Sequence, residues 1–268
     1  DTTVDRDGSL LVLDTGNGAI RRIREGVAVE TVAGYVSGYE DGPRLEARFS
    51  SPYSIAVDAA QQTLFVADAF NHVMRSVSRD GTLRTVAGKV GVAGFRDGPA
   101  RDAEFNVPGY VAVALDGTLY VSDYENHAVR KITPAGVVTT LAGSGVKGHV
   151  DAIGRAAKFS SPQGLAVAAD GTGYVVELGN HTVRRIAPDG TVTTLAGSPG
   201  NAGHVDATGS AARFSSPEGI AIDLDGSLLV ADYRNHAIRR VTTAGVVTTI
   251  AGTPGTAGTD DGAAATAR

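Results

Sequence analysis

The 268-residue chain contains no cysteine, which removes disulfide staples, thiolate metal sites and cysteine nucleophiles together. Either redox compartment suits it. No apolar run approaches the roughly 18 residues of a membrane-spanning helix, so no membrane insertion is expected. Lysine and arginine number 24 against 29 acidic residues, giving a net charge of −5. They form no block able to neutralise a row of phosphates, which speaks against a nucleic-acid partner. No GxSxG elbow, Walker loop or HExxH sequence occurs. The chain opens on Asp1 and its one methionine is Met74, so it reads as a processed product or an excised domain. Any targeting segment then lies outside view.

What the chain has is a repeat. The tetrapeptide TVAG at 31–34 returns as TVAG, TLAG, TLAG and TIAG ending at Gly88, Gly143, Gly197 and Gly252, in steps of 54, 55, 54 and 55 residues. Asn17, Asn71, Asn126, Asn180 and Asn235 keep the same beat. Within a unit, β-branched and aromatic residues alternate between short glycine-containing breaks, the pattern of four strands without a long helix. In the fifth unit the strands are GIAIDL, SLLVAD, NHAIRRV and VVTTIAG. Asp7-Gly8, Asp116-Gly117, Asp170-Gly171 and Asp225-Gly226 supply tight turns at the first break. Glu25-Gly26, Asp80-Gly81, Asp189-Gly190 and Ala244-Gly245 supply those at the last. Unit two differs, with AAQQ as its first turn.

Four antiparallel strands every 54 residues predict the blades of a β-propeller, an all-β fold in one domain over 1–268. The repeats fall at approximately 1–54, 55–109, 110–163, 164–218 and 219–268. A longer loop precedes the first strand of a unit. It carries Asp41, Asp97, Asp151, Asp206 and Asp261, then Arg48, Glu104, Lys158, Arg213 and Arg268, then phenylalanine at 49, 105, 159 and 214. This predicts a short helical turn capped by the aspartate and plugged into the blade by the phenylalanine.

The units NHVMRSV, NHAVRKI, NHTVRRI and NHAIRRV, with PEGIAID, VADYRNH and TTIAG in order, resemble NHL repeats, and HVDATGSAARFSSPEG resembles a long-repeat bacterial version. The resemblance covers the whole chain. It implies six blades where this sequence supplies five, so a six-bladed parent ring lacking one blade is the alternative. It also implies binding platforms, structural modules and, less often, lyases with a clustered histidine and metal site. The histidines do not supply that cluster. His72, His127, His181 and His236 occupy one repeat position, and His149 and His204 another, whereas a metal needs several ligands converging on one point. The repeated Asp232, Asn235, His236 and Arg239 read as an internal fastening, although one copy has Glu177 for the aspartate and another Gly18 for the histidine. Adjacent carboxylates in GYEDG and GTDDG are the only support for a loop calcium. No catalytic residue, metal or cofactor is therefore assigned.

Function is sought in what does not repeat. Tyr35, Tyr39, Tyr53, Phe70, Phe95, Tyr110, Tyr124 and Tyr233 are assigned to the rim where the long loops meet the turns between second and third strands. The sequence points to a non-catalytic binding or protein-interaction scaffold that uses Tyr53, Tyr110, Gln163, Glu218, Tyr124, Tyr233 and Arg234 at the channel mouth. Its ligand would be a protein, a peptide or a carbohydrate. Neighbouring domains in a longer chain and an extracellular or periplasmic location are expected. The alternatives are a lyase or hydrolase using Glu177, Glu218 and a tyrosine, and a purely structural or engineered ring.

Overall fold

The computed structural model describes residues 1–25, 28–58, 60 and 62–264. Gly26 of one expected turn, Ala59 and Gln61 of the AAQQ turn, and Arg268 as the last basic mark lie outside the described residues. The chain packs as two compact units, Asp1–Asn126 with Arg130–Thr139, and His127–Val129 with Thr140–Arg268. No helix is long and apolar enough to cross a membrane among the described residues.

Five antiparallel sheets follow one another as blades of a β-propeller. The first has β1 (Thr2–Val4), β2 (Leu10–Asp14), β3 (Ala19–Arg24) and β4 (Ala28–Ala33), and the second has β5 (Pro52–Asp58), β6 (Thr63–Asp68), β7 (Val73–Val77) and β8 (Leu83–Ala87). The third gains a two-residue edge strand from the preceding loop. Its members are β9 (Gly98–Pro99), β10 (Pro108–Val113), β11 (Leu119–Asp123), β12 (Ala128–Ile132) and β13 (Val137–Ala142), in the order β10-β11-β12-β13-β9. The fourth runs β14 (Pro162–Val167), β15 (Gly173–Glu177), β16 (Thr182–Ile186) and β17 (Val192–Gly197). The fifth runs β18 (Pro217–Ile222), β19 (Leu228–Asp232), β20 (Ala237–Val241) and β21 (Val247–Ala251).

Local chemistry explains the hairpins. At each Asp-Gly turn the aspartate accepts the main-chain N–H two residues on, as Asp116 does from Thr118 at 2.9 Å and Asp225 from Ser227 at 2.8 Å. Two such bonds, from Ser78 Oγ and the Thr82 amide, hold the Asp80 carboxyl down at about 2. The glycine ending each TVAG-type motif meets a different demand. Gly88 has φ +99°, and a Cβ there would lie 2.7 Å from the His72 carbonyl oxygen, so a side chain cannot enter.

Cores form between successive sheets. In the first unit Leu11, Ile20, Phe49, Ile55 and Val66 make one cluster and Met74, Phe105, Val111, Val121 and Val138 another. In the second unit Tyr174, Val183, Phe214, Leu228 and Val230 do the same. Alternating residues on each strand thus meet a neighbouring blade, which is why both strand faces read as apolar. The loop phenylalanines Phe49, Phe105, Phe159 and Phe214 are fully buried, the expected plug.

The aspartate is not a cap. Short 3-10 turns do lie in the loops at Gly154–Ala156 and Gly209–Ala211, but they begin at Ile153 and Thr208 without a side-chain cap. Asp151 and Asp206 instead bind Arg184 and Arg239 at 2.6 Å and accept the amides of Thr194 and Thr249. A buried guanidinium gains more from a second charge-assisted bond than a brief turn gains from a cap.

Candidate functional site

The repeated polar residues build one network per blade, most simply seen in blade two. Arg75 projects from β7, is fully buried, and donates to Asp68 at the end of β6 and to Asp41 of the preceding loop, both at 2.6 Å. The same guanidinium donates to the carbonyls of Arg48 at 3.1 Å and Glu40 at 2.8 Å. Asn71 bridges Asp68 and the Gly38 carbonyl, and the Ser50 amide closes the second oxygen of Asp68. The rings of Tyr39 and Phe49 lie 4.7 and 5.5 Å from the guanidinium carbon. Blades three and five repeat this around Arg130 and Arg239. In blades two to five the network fastens the blade to the loop before it, leaving only the arginine Nε without a hydrogen bond among the described residues.

The copies are not electrostatically equal. Burial pushes Asp68 above the usual carboxylate range, against Asn71 and Arg75, and pushes Asp123 up to about 6 against Arg130. Glu177 moves the other way. Burial is its largest influence and raises it, but His149, the Arg184 charge and Thr182 together outweigh that and lower it. The extra methylene lets Glu177 accept from Thr182 Oγ1 at 2.6 Å as well as from Arg184 at 2.9 Å, Asn180 at 2.7 Å and the Ser160 amide at 2.8 Å. His149 Nδ1 lies 3.5 Å from Glu177, and its Nε2 lies 2.9 Å from Thr194 Oγ1. Blade one is looser. Asp14 and Arg21 pair at 3.1 Å with side chains 28% and 31% exposed.

The recurring histidine, expected as part of a fastening inside its blade, instead latches one blade to the next. His72, His127 and His181 sit in the left-handed region, with φ of 58°, 49° and 59°. Their Nδ1 atoms accept the amides of Val107 at 3.1 Å, Ser161 at 3.2 Å and Ser216 at 3.0 Å. A second role was hidden by mixed residue types. Tyr39, Phe95, His149 and His204 all stand two residues before the loop aspartate. Phe95 lies 4.9 Å from the Arg130 guanidinium, and Tyr39 also bonds Thr85 Oγ1 at 2.9 Å. These two rim aromatics therefore belong to the fastenings. Their fixed distance from the aspartate was the signal.

The remaining rim residues are placed as follows. In the first unit Tyr53 on β5, Tyr110 on β10 and Tyr124 after β11 are half-buried, and Tyr53 pairs with exposed Phe70 at 6.1 Å between ring centroids. The inner strands β5 and β10 lie side by side. In the second unit β14 and β18 approach so closely that a Cβ on Gly164 would sit 2.5 Å from the Glu218 carbonyl oxygen. Gln163 is 7% exposed with a buried Oε1 that has no hydrogen bond among the described residues, while Glu218 is half-buried. Tyr233, 58% exposed, and Arg234 stand on the turn after β19. Among the described residues no three histidine, aspartate or glutamate side chains gather as a metal centre.

The NHL repeat profile matches residues 214–240. NHL repeat-containing protein 2 of Gallus gallus is 30% identical over 275 residues, covering 89% of this chain and 38% of that protein. The chain thus spans well under half of that relative. Among solved structures, a catalytically inactive virginiamycin B lyase from Staphylococcus aureus with quinupristin superposes with TM-score 0.62 at 17% identity, over 92% of this chain and 68% of that one. A protein of Xanthomonas campestris described as a gluconolactonase superposes with TM-score 0.62 at 18% identity, over 90% and 71%. These likenesses are of fold.

Proposed function

Since the chain is an NHL-repeat β-propeller, we propose that it is a non-catalytic binding or protein-interaction scaffold whose ligand surface lies at the loop-bearing ends of its blades. One observation carries this reading. The polar groups that resemble catalytic machinery are bound to one another within the blades, while large aromatic surface is left facing water at Phe70, beside half-buried Tyr53, and at Tyr233, whose position is also a tyrosine only in blade three, as Tyr124. Rigid aromatic side chains give large contact area at low entropic cost, which suits a protein, peptide or carbohydrate ligand. The relative's greater length accords with neighbouring domains.

A folded sample screened against a glycan array and a displayed-peptide library should yield a ligand. Its affinity should fall at least tenfold in Tyr53→Ala/Phe70→Ala or in Tyr233→Ala, with the unfolding midpoint unchanged. Variants that lose folding, or that bind every recovered ligand as the parent does, would refute the proposal. A catalytic reading draws support from the His149–Glu177 contact and from the lyase and gluconolactonase that share the fold. It is weaker because both Glu177 oxygens already accept hydrogen bonds from the blade.

A further inference from the structure

A cavity of about 370 Å³ opens between the first two blades and is lined by five arginines, Arg6, Arg22, Arg24, Arg44 and Arg79. It lies at the end bearing the Asp7-Gly8 and Asp80-Gly81 turns. In an antiparallel sheet that end is opposite the turns joining second to third strands. The rim aromatics on those turns therefore belong to a different surface.

Three of these cations do not come from the repeat. Where blade one has Arg24, the later blades have Ser78, Thr133, Ala187 and Thr242. Where blade two has Arg79, the next three have Pro134, Pro188 and Thr243, and the positions matching Arg6 are Leu115, Ala169 and Leu224. A fastening role would recur, and this one does not.

The cleft's acids leave part of the charge unmatched. Arg22 pairs with Asp5 at 2.6 Å, and Arg24 pairs with Glu30 at 2.8 Å and reaches Asp7 at 3.6 Å. Asp80, the fourth acid, is held by Ser78 and Thr82 of its own turn. Arg44 donates to the Thr31 carbonyl rather than to a carboxylate. Arg6 and Arg79 are exposed and have no carboxylate within ion-pair distance among the described residues. Arg22 Nε, like that of the four buried fastening arginines, is without a hydrogen bond among the described residues. Fork-shaped guanidinium donors in a polar cleft of this size match the flat, doubly accepting edge of an oxyanion.

We propose that this cleft is a binding site for a small dianionic ligand carrying a phosphate or a pair of carboxylates, with Arg6 and Arg79 as its principal contacts. Succinate and inorganic phosphate are the probes, titrated calorimetrically into the whole chain at low ionic strength. At least one should bind with a dissociation constant of millimolar or below, and binding should weaken at 0.5 M sodium chloride because exposed charges are screened. Which probe binds more tightly identifies the anionic group. Arg6→Leu/Arg79→Thr places residues found at the same positions in other blades, so it should fold with an unchanged unfolding midpoint and bind at least tenfold more weakly. Arg101→Ala, outside the cleft, should bind as the parent does. No heat with either probe up to 10 mM, or equal affinity in the parent and in Arg6→Leu/Arg79→Thr, would overturn the proposal.

Discussion

The same substitution, arginine to methionine at the third-strand position, should have very different costs in blades one and two. Arg75 is completely buried and serves two carboxylates and two main-chain carbonyls. Methionine there would leave the fully buried Asp68 ionised without its cation. Removing one partner of a buried pair typically costs about 3–5 kcal/mol, because the other charge stays in a medium that solvates it poorly. Arg21 makes the equivalent pair with Asp14, but both side chains are nearly a third exposed and water takes over when the partner is lost. Such a pair is worth about 0–1 kcal/mol. Urea unfolding, with midpoints compared at constant slope, measures both. The penalty in Arg75→Met should also shrink on acidification, because burial already raises the Asp68 carboxyl and protonation removes the stranded charge. Replacing Asp68 by leucine in the Arg75→Met background should restore part of the loss. If Arg21→Met and Arg75→Met lose the same stability within about 0.5 kcal/mol, burial is not what gives the network its energy and the reasoning fails.

Two further outcomes follow from the backbone geometry. His72 has its imidazole pushed below the ordinary value by burial, so above pH 6.5 it is neutral in both states and its bond to the Val107 amide is intact. As the pH falls through 6.5 the unfolded chain takes up the proton first, and stability declines until the folded imidazole also titrates. His72→Asn keeps a left-handed-tolerant acceptor without a proton to bind, so its stability between pH 7 and 5 should fall less steeply than that of the parent. A parallel slope would contradict the latch. Gly88→Ala should cost about 3 kcal/mol or more in urea unfolding, since its Cβ would meet the His72 carbonyl at 2.7 Å, whereas Gly91→Ala, also at positive φ but in open space, should cost about 1 kcal/mol. Equal costs would mean that conformation rather than close approach selects the glycine.

Much of the fold was legible because the repeat states each strand five times. GIAIDL, SLLVAD, NHAIRRV and VVTTIAG all overlap strands of the fifth blade, and the fastening of Asp232, Asn235 and Arg239 was readable from their recurrence. The loop aspartate was misread because an acidic residue ahead of a small-residue turn looks like a cap. Only the three-dimensional path shows a buried guanidinium within reach. The histidine latches were not legible, since their partners are main-chain amides some 35 residues away and the residues supplying them include Ser161, Ser216 and Val107. The arginine cleft was missed for the opposite reason. Its members are scattered over 6–79 and belong to different repeat positions, so no local pattern gathers them.

The loop carrying Asp41, Tyr39 and Phe49 precedes β5 in the chain, yet its bonds go to Arg75 of the sheet that follows. The natural module is therefore offset from the four strands that define a blade. A blade duplicated or transplanted with a cut just before its first strand would arrive with a buried arginine and no counter-charge. A cut after the glycine of the preceding TVAG-type motif would carry the complete fastening with it. Inserted as an extra blade, residues 35–88 should accordingly give a folded protein where residues 52–88, which lack the loop and Asp41, do not.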